Sequence, residues 1–79
     1  MTIRVDVEKY ILKLTNEAEL DHSMNLFELG TLTSIDVLDV LSFLEETFNI
    51  SVSDEDISME NFGSINGIVN LVEKLRRSG

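Results

Sequence analysis

A chain of 79 residues with 43% hydrophobic side chains is one small domain with enough apolar material for a core, and its lack of cysteine excludes disulfides, thiolate metal sites and a cysteine nucleophile. No run approaches the roughly 18 apolar residues of a membrane span, and the charged N-terminal segment is unlike a signal peptide, so a cytoplasmic monomer without a membrane role is expected. The net charge is −9, and all six bases (Arg4, Lys9, Lys13, Lys74, Arg76, Arg77) lie in the terminal segments, while residues 14–72 hold twelve carboxylates and no Lys or Arg. Such a field repels nucleic acid and anionic lipid, and it attracts basic protein surfaces.

The first predicted helix covers residues 3–14, where Ile3, Val7, Tyr10, Ile11 and Leu14 share one face. Thr2 is placed to cap it, and Arg4 with Glu8 and Asp6 with Lys9 stand at helical pair spacing. From Asn16 to Thr33 the periodicity is lost and polar residues dominate, which predicts a long loop holding short helical turns. Gly30 offers a backbone position that tolerates positive φ, and Leu26, Phe27 and Leu29 are expected to anchor the loop to the core.

Residues 34–48 form the strongest helical pattern. Val37, Leu38, Leu41, Leu44 and Phe48 recur at helical spacing, with Asp36, Asp39 and Glu46 on the other side. Ile35, Val40 and Phe43 extend the apolar surface around the helix, as expected for a central element packed against several neighbours. Ile50 and Val52 alternate with Ser51 and Ser53, but four residues without a partner strand make no sheet, so an extended linker is expected. Residues 54–60 read as a short helix with carboxylates in its first turn. Ser64 then caps a last helix in which Ile65, Ile68, Val69, Val72 and Leu75 share a face, with Lys74, Arg76 and Arg77 at the end that favours cations. Gly67 weakens that helix by about 1 kcal/mol relative to Ala, so a close contact is expected there. The predicted fold is all-α: a small four-helix bundle of three long helices and one short.

The chemistry points to Ser34, at the junction of the long loop and the second helix. A nucleophilic serine needs a base in reach, and the sole histidine, His22, reads as a solvated loop residue with no G-x-S-x-G around Ser34. The acidic run Asp54, Asp56, Ser58, Glu60 begins like a calcium loop, but Met59 stands where the required glycine belongs and Ile65 where the required glutamate does. No metal or catalytic set is therefore expected. A serine hydroxyl at a helix N-terminus is either a plain terminal residue or one placed for modification, and a phosphate there meets the positive end of the dipole.

The stretch LFELGTLTSIDVLDVLSFLEETFNISVSDEDI resembles the acyl carrier protein family, which includes peptidyl and D-alanyl carriers. The shared pattern is a leucine and glycine turn, a triplet ending Ser-Ile, an acidic helix with Glu-Glu shortly before Phe, and a following acidic segment; ENFGSINGIVNLVEKL is similar to the family's last helix. By that resemblance Ser34 receives 4′-phosphopantetheine from coenzyme A through a phosphopantetheinyl transferase. The arm's thiol then holds cargo as a thioester, and the carrier shuttles it among biosynthetic enzymes while catalysing nothing itself. The resemblance also implies that Thr33, Ile35, Asp36, Asp39, Glu45 and Glu46 meet partner enzymes. Thr33 stands where the family has Asp, removing a carboxylate while keeping a capping side chain. Three residues separate Gly30 from Ser34, as in D-alanyl carriers, which implies an aminoacyl or specialised acyl cargo delivered by an adenylate-forming ligase and passed to downstream acyl-transfer enzymes. The competing expectation is an unmodified, acidic docking or regulatory module, for which Thr33 is the argument.

Overall fold

The computed structural model describes residues 3–78, the side chains of Met59 and Ser78 excepted, so the cap expected at Thr2 lies outside the described residues. Its helices are α1 (Ile3–Thr15), α2 (Ser34–Phe48), the short α3 (Met59–Phe62) and α4 (Ile65–Ser78), with a single 3-10 turn at Asp54–Asp56 and no strand among the described residues. This is the expected all-α bundle of three long helices and one short.

The core gathers Val7 and Ile11 of α1, Leu26 and Leu32 of the long loop, Val40 and Leu44 of α2, Phe62 of α3, and Ile65, Ile68, Val69, Leu71 and Val72 of α4. Each such side chain contributes about 1.5–3 kcal/mol on leaving water. Helix α4 is the element the others lean on, against α1 along one side and α3 along another. Gly67 makes the second contact possible, because a Cβ at that position would lie 2.3 Å from the backbone oxygen of Glu60. The close approach expected at this glycine is therefore present. Ser64 caps α4 as expected, its Oγ accepting from Gly67 N at 3.0 Å.

The long loop is held at both ends. Its second half closes two tight turns, with Gly30 N donating to Phe27 O (3.1 Å) and Leu32 N to Leu26 O (3.1 Å). Gly30 takes φ 76°, the left-handed conformation that glycine enters without strain. Leu26 is fully buried and Phe27 packs on the core, but Leu29 is 57% exposed. The expected anchor at Leu29 is thus corrected: the turn between Phe27 and Gly30 carries it to the outer surface.

His22 is also corrected, from a solvated residue to a clasped one. Arg4 Nη1 donates to its Nδ1 at 3.1 Å, its Nε2 meets the Glu8 carboxylate, and its carbonyl accepts from Asn66 N at 2.9 Å. Since arginine only donates, Nδ1 accepts, and a neutral ring carries its proton on Nε2. Arg4 and Glu8, expected to pair with each other, close on His22 instead, and Arg4 also donates to Asn66 Oδ1. Asp6 and Lys9 make no ion pair among the described residues.

Between α2 and α4 the chain turns at Asn49, whose φ of 55° ends α2 in the left-handed conformation. Residues 49–53 are extended, as expected, and Glu45 Oε2 accepts from Val52 N at 3.0 Å. The helix expected over residues 54–60 is broken in two. Ile57 has extended backbone after the 3-10 turn, and α3 starts only at Met59. Asp56 bonds the pieces together, taking Ser53 Oγ (3.0 Å) on its carboxylate and Asn61 Nδ2 (2.7 Å) on its carbonyl, while Lys74 Nζ lies 3.6 Å from its other oxygen.

Candidate functional site

Helix α2 begins with a complete capping box. Thr33 is the N-cap, with extended backbone at φ −121°, and its Oγ1 accepts from Asp36 N at 3.4 Å. Asp36 Oδ2 answers by accepting from Thr33 N at 2.9 Å and from Thr33 Oγ1 at 3.1 Å. A cap of this kind stabilises the helix start by about 1 kcal/mol. Its consequence is chemical as well as structural: because Thr33 does the capping, Ser34 has no such duty.

Ser34 is the first residue of α2, exposed, and its hydroxyl makes no hydrogen bond among the described residues. The amide groups of Ser34 and Ile35 likewise have no partner in the chain, whereas those of Asp36 and Val37 are taken by Thr33. Free N–H groups at the positive end of a fifteen-residue helix suit an anionic substituent. The site thus offers a free hydroxyl with two amide donors beside it.

Beside the hydroxyl opens a groove of about 450 Å³, lined by Phe27, Ser34, Val37, Leu38, Ile57, Ser58 and Phe62. Loop, α2 and α3 each supply a wall, and Ser34 stands in the lining. The groove carries no charged side chain, so it suits an apolar or neutral chain leading away from the serine.

Down the exposed side of α2, Ile35, Leu38, Asp39, Ser42 and Glu46 all face solvent, with Ile35 75% and Leu38 63% exposed. Leu38 was expected in the buried stripe, and this too is corrected. The inward stripe is Val40 and Leu44, flanked by Val37, Leu41, Phe43 and Phe48. Across the helix, Tyr10 stacks on Phe43 with ring centres 4.0 Å apart, and its hydroxyl donates to the Asp39 carbonyl at 3.1 Å. Burial, with the charges of Asp39 and Asp36 nearby, pushes the Tyr10 phenol above its ordinary value.

The residues singled out from the sequence divide in two. Thr33, Ser34, Ile35 and Asp36 meet at the helix start, and Asp39 and Glu46 stand exposed below them. Glu45 is half-buried and holds the Val52 amide, so it serves the chain's own linker. Phe27, Ile57, Ser58 and Phe62 were not foreseen as site residues. They converge on Ser34 only through folding, although Leu38, four residues after Ser34, already shared its face in the sequence.

Among the described residues no helix is long and apolar enough to cross a membrane. The family described as "Phosphopantetheine attachment site" matches residues 6–72, a span that includes Ser34 and the whole groove lining. The chain is also similar to a "Probable acyl carrier protein PigG" of Serratia sp. (strain ATCC 39006), 32% identical over 57 residues, which are 72% of this chain and 66% of that relative. Carriers of this family are not catalysts, and they work with synthetase and transferase enzymes. The chain belongs to the acyl carrier protein family, whose cofactor is covalently bound 4′-phosphopantetheine.

Proposed function

We propose that Ser34 is the attachment point of 4′-phosphopantetheine and that the chain shuttles an acyl or aminoacyl cargo between biosynthetic enzymes. The observation that carries this reading is a single one: the exposed, unbonded hydroxyl at the start of α2, standing in the lining of an uncharged groove. In the loading step the Ser34 oxygen bonds to the phosphorus of the phosphopantetheine moiety, and the pyrophosphate P–O bond of coenzyme A breaks. The nucleotide leaves as adenosine 3′,5′-bisphosphate, and the hydroxyl proton passes to a base of the transferase. The free amides of Ser34 and Ile35 fit the resulting phosphodiester anion. When bound, the arm supplies the thiol that the cysteine-free chain lacks, and with it a thioester.

Docking falls to the exposed side of α2. Ile35 and Leu38 offer apolar anchors beside the serine, while Asp39 and Glu46 supply charge for a basic partner surface. Thr33 and Asp36 shape the helix start that the transferase meets. The three residues between Gly30 and Ser34 favour loading by an adenylate-forming ligase, and the groove can cover the apolar part of the arm or cargo. The competing idea of an unmodified docking module drew on Thr33 alone, and Thr33 caps the helix in full.

The test is incubation of the chain with coenzyme A, magnesium and a broad-specificity transferase, followed by intact-mass spectrometry. One phosphopantetheine adduct is expected on the wild type and none on Ser34→Ala. An adduct that persists in Ser34→Ala, or its absence from the wild type with several transferases, would overturn the assignment.

A further inference from the structure

We infer that Asp36 supplies, across the capping box, the carboxylate that the transferase reads at the Ser34 junction, so that the loading reaction does not depend on an acidic residue at position 33. This rests on the reading of Ser34 as the attachment point. A specificity role for one acidic residue among many needs a reason to single it out, and the geometry provides two.

The first is placement. Thr33 N and Thr33 Oγ1 both donate to the same oxygen, Asp36 Oδ2, at 2.9 and 3.1 Å. Two bonds from the residue that precedes Ser34 hold the carboxylate back over the open end of the helix, at the level of the reacting hydroxyl. A charge held in this way needs little side-chain ordering when a partner cation meets it. Asp39, Glu46 and Glu28 are exposed and have no hydrogen bond that fixes their carboxylates among the described residues.

The second is availability. Asp36 Oδ1 makes no bond among the described residues, and no ion pair within the chain neutralises the group. No Lys or Arg occurs between residues 14 and 73. The donor of the arm carries phosphate charge, so a transferase that holds it must present cations around the place where Ser34 enters. A fixed carboxylate with one oxygen free is matched to such a rim. Position 33 then needs only a side chain that accepts from Asp36 N and donates to its carboxylate, and threonine does both.

The capping role and the charge role of Asp36 are separable. In Asp36→Asn the amide oxygen still accepts from Thr33, so the box is kept while the charge is lost. In Thr33→Asp/Asp36→Asn the cap is kept and the carboxylate returns on the other member of the box. Transferase kinetics with carrier concentration varied are measured for the wild type and both variants, with thermal unfolding in parallel. Asp36→Asn is expected to raise KM for the carrier about tenfold with kcat little changed, since a charge-assisted hydrogen bond is lost. The double variant is expected to recover most of that loss, and the wild-type KM should rise with salt more steeply than that of Asp36→Asn.

An unchanged KM in folded Asp36→Asn overturns the inference, as does a folded double variant that loads no better than Asp36→Asn. Should Asp36→Asn unfold, the double variant decides alone, because its KM must stay within a few-fold of the wild type. A wild type that takes no arm overturns the Ser34 reading itself, a result distinct from either of these.

Discussion

Helices α2 and α4 are almost equal in length and carry similar numbers of large apolar residues, yet they use them differently. Helix α4 turns Ile65, Ile68, Val69, Leu71 and Val72 into the core. Helix α2 buries only Val40 and Leu44 fully, and it leaves Ile35 and Leu38 to solvent beside Ser34. The difference shows that α4 is the helix that holds the domain together and α2 is the helix that presents it. An apolar residue kept on the outside of a small, highly charged protein adds nothing to the core and is best accounted for by a surface that meets partners.

This contrast can be broken by matched truncations. Ile68→Ala in α4 should lower stability by about 2–5 kcal/mol, a large share of what a domain of this size possesses, whereas Leu38→Ala in α2 should stay within about 0.5 kcal/mol of the parent. Urea unfolding of the two variants measures both. Equal losses would mean that α2 is a core helix on both sides. In the transferase assay the order should reverse, with Leu38→Ala raising KM while folded Ile68→Ala leaves it near the parent value.

A smaller effect sharpens the same division at the seam between α3 and α4. Gly67→Ala gains helix propensity of about 1 kcal/mol but drives a methyl against the backbone of Glu60, and backbone cannot swing aside as a side chain can. A net loss of about 1–3 kcal/mol is expected. Because α3 carries Phe62 and adjoins Ile57 and Ser58, the groove should change shape as well, visible as NMR shift changes at Val37 and Leu38.

The smallest effect lies at the back of α2. The folded chain keeps the Tyr10 phenol protonated above its unfolded value, so its contribution is complete below a pH of about 10 and is lost as pH rises through the folded value. Tyr10→Phe should cost about 0.5–1.5 kcal/mol at neutral pH and flatten the alkaline fall in stability. Denaturant titrations on either side of the phenol's ordinary range would detect it.

How much of this was legible in the chain depends on the range of the interaction. Helix positions, the cap at Ser64, the left-handed Gly30 and the need for a small residue at Gly67 follow from local sterics and spacing, which a sequence displays directly. Leu38 and Leu29 were misjudged because periodicity tells which residues share a face but not which face finds a neighbour. His22 was misjudged for a related reason: its partners, Arg4, Glu8 and Asn66, come from the two ends of the chain. The break at Ile57 escaped because the bonds that organise residues 53–61 converge on Asp56 from several elements.

By itself the sequence determined that this is an acidic, cysteine-free helical carrier with a serine at the start of its second helix, since composition, helical period and motif are properties of neighbouring residues. Only the tertiary structure decided that the serine's hydroxyl is left free by Thr33, that a groove opens beside it, and that α2 rather than α4 keeps an apolar side in water. Those outcomes depend on which surfaces meet, and the 3.6-residue period that marks a helix is the same whether its apolar side is covered or exposed.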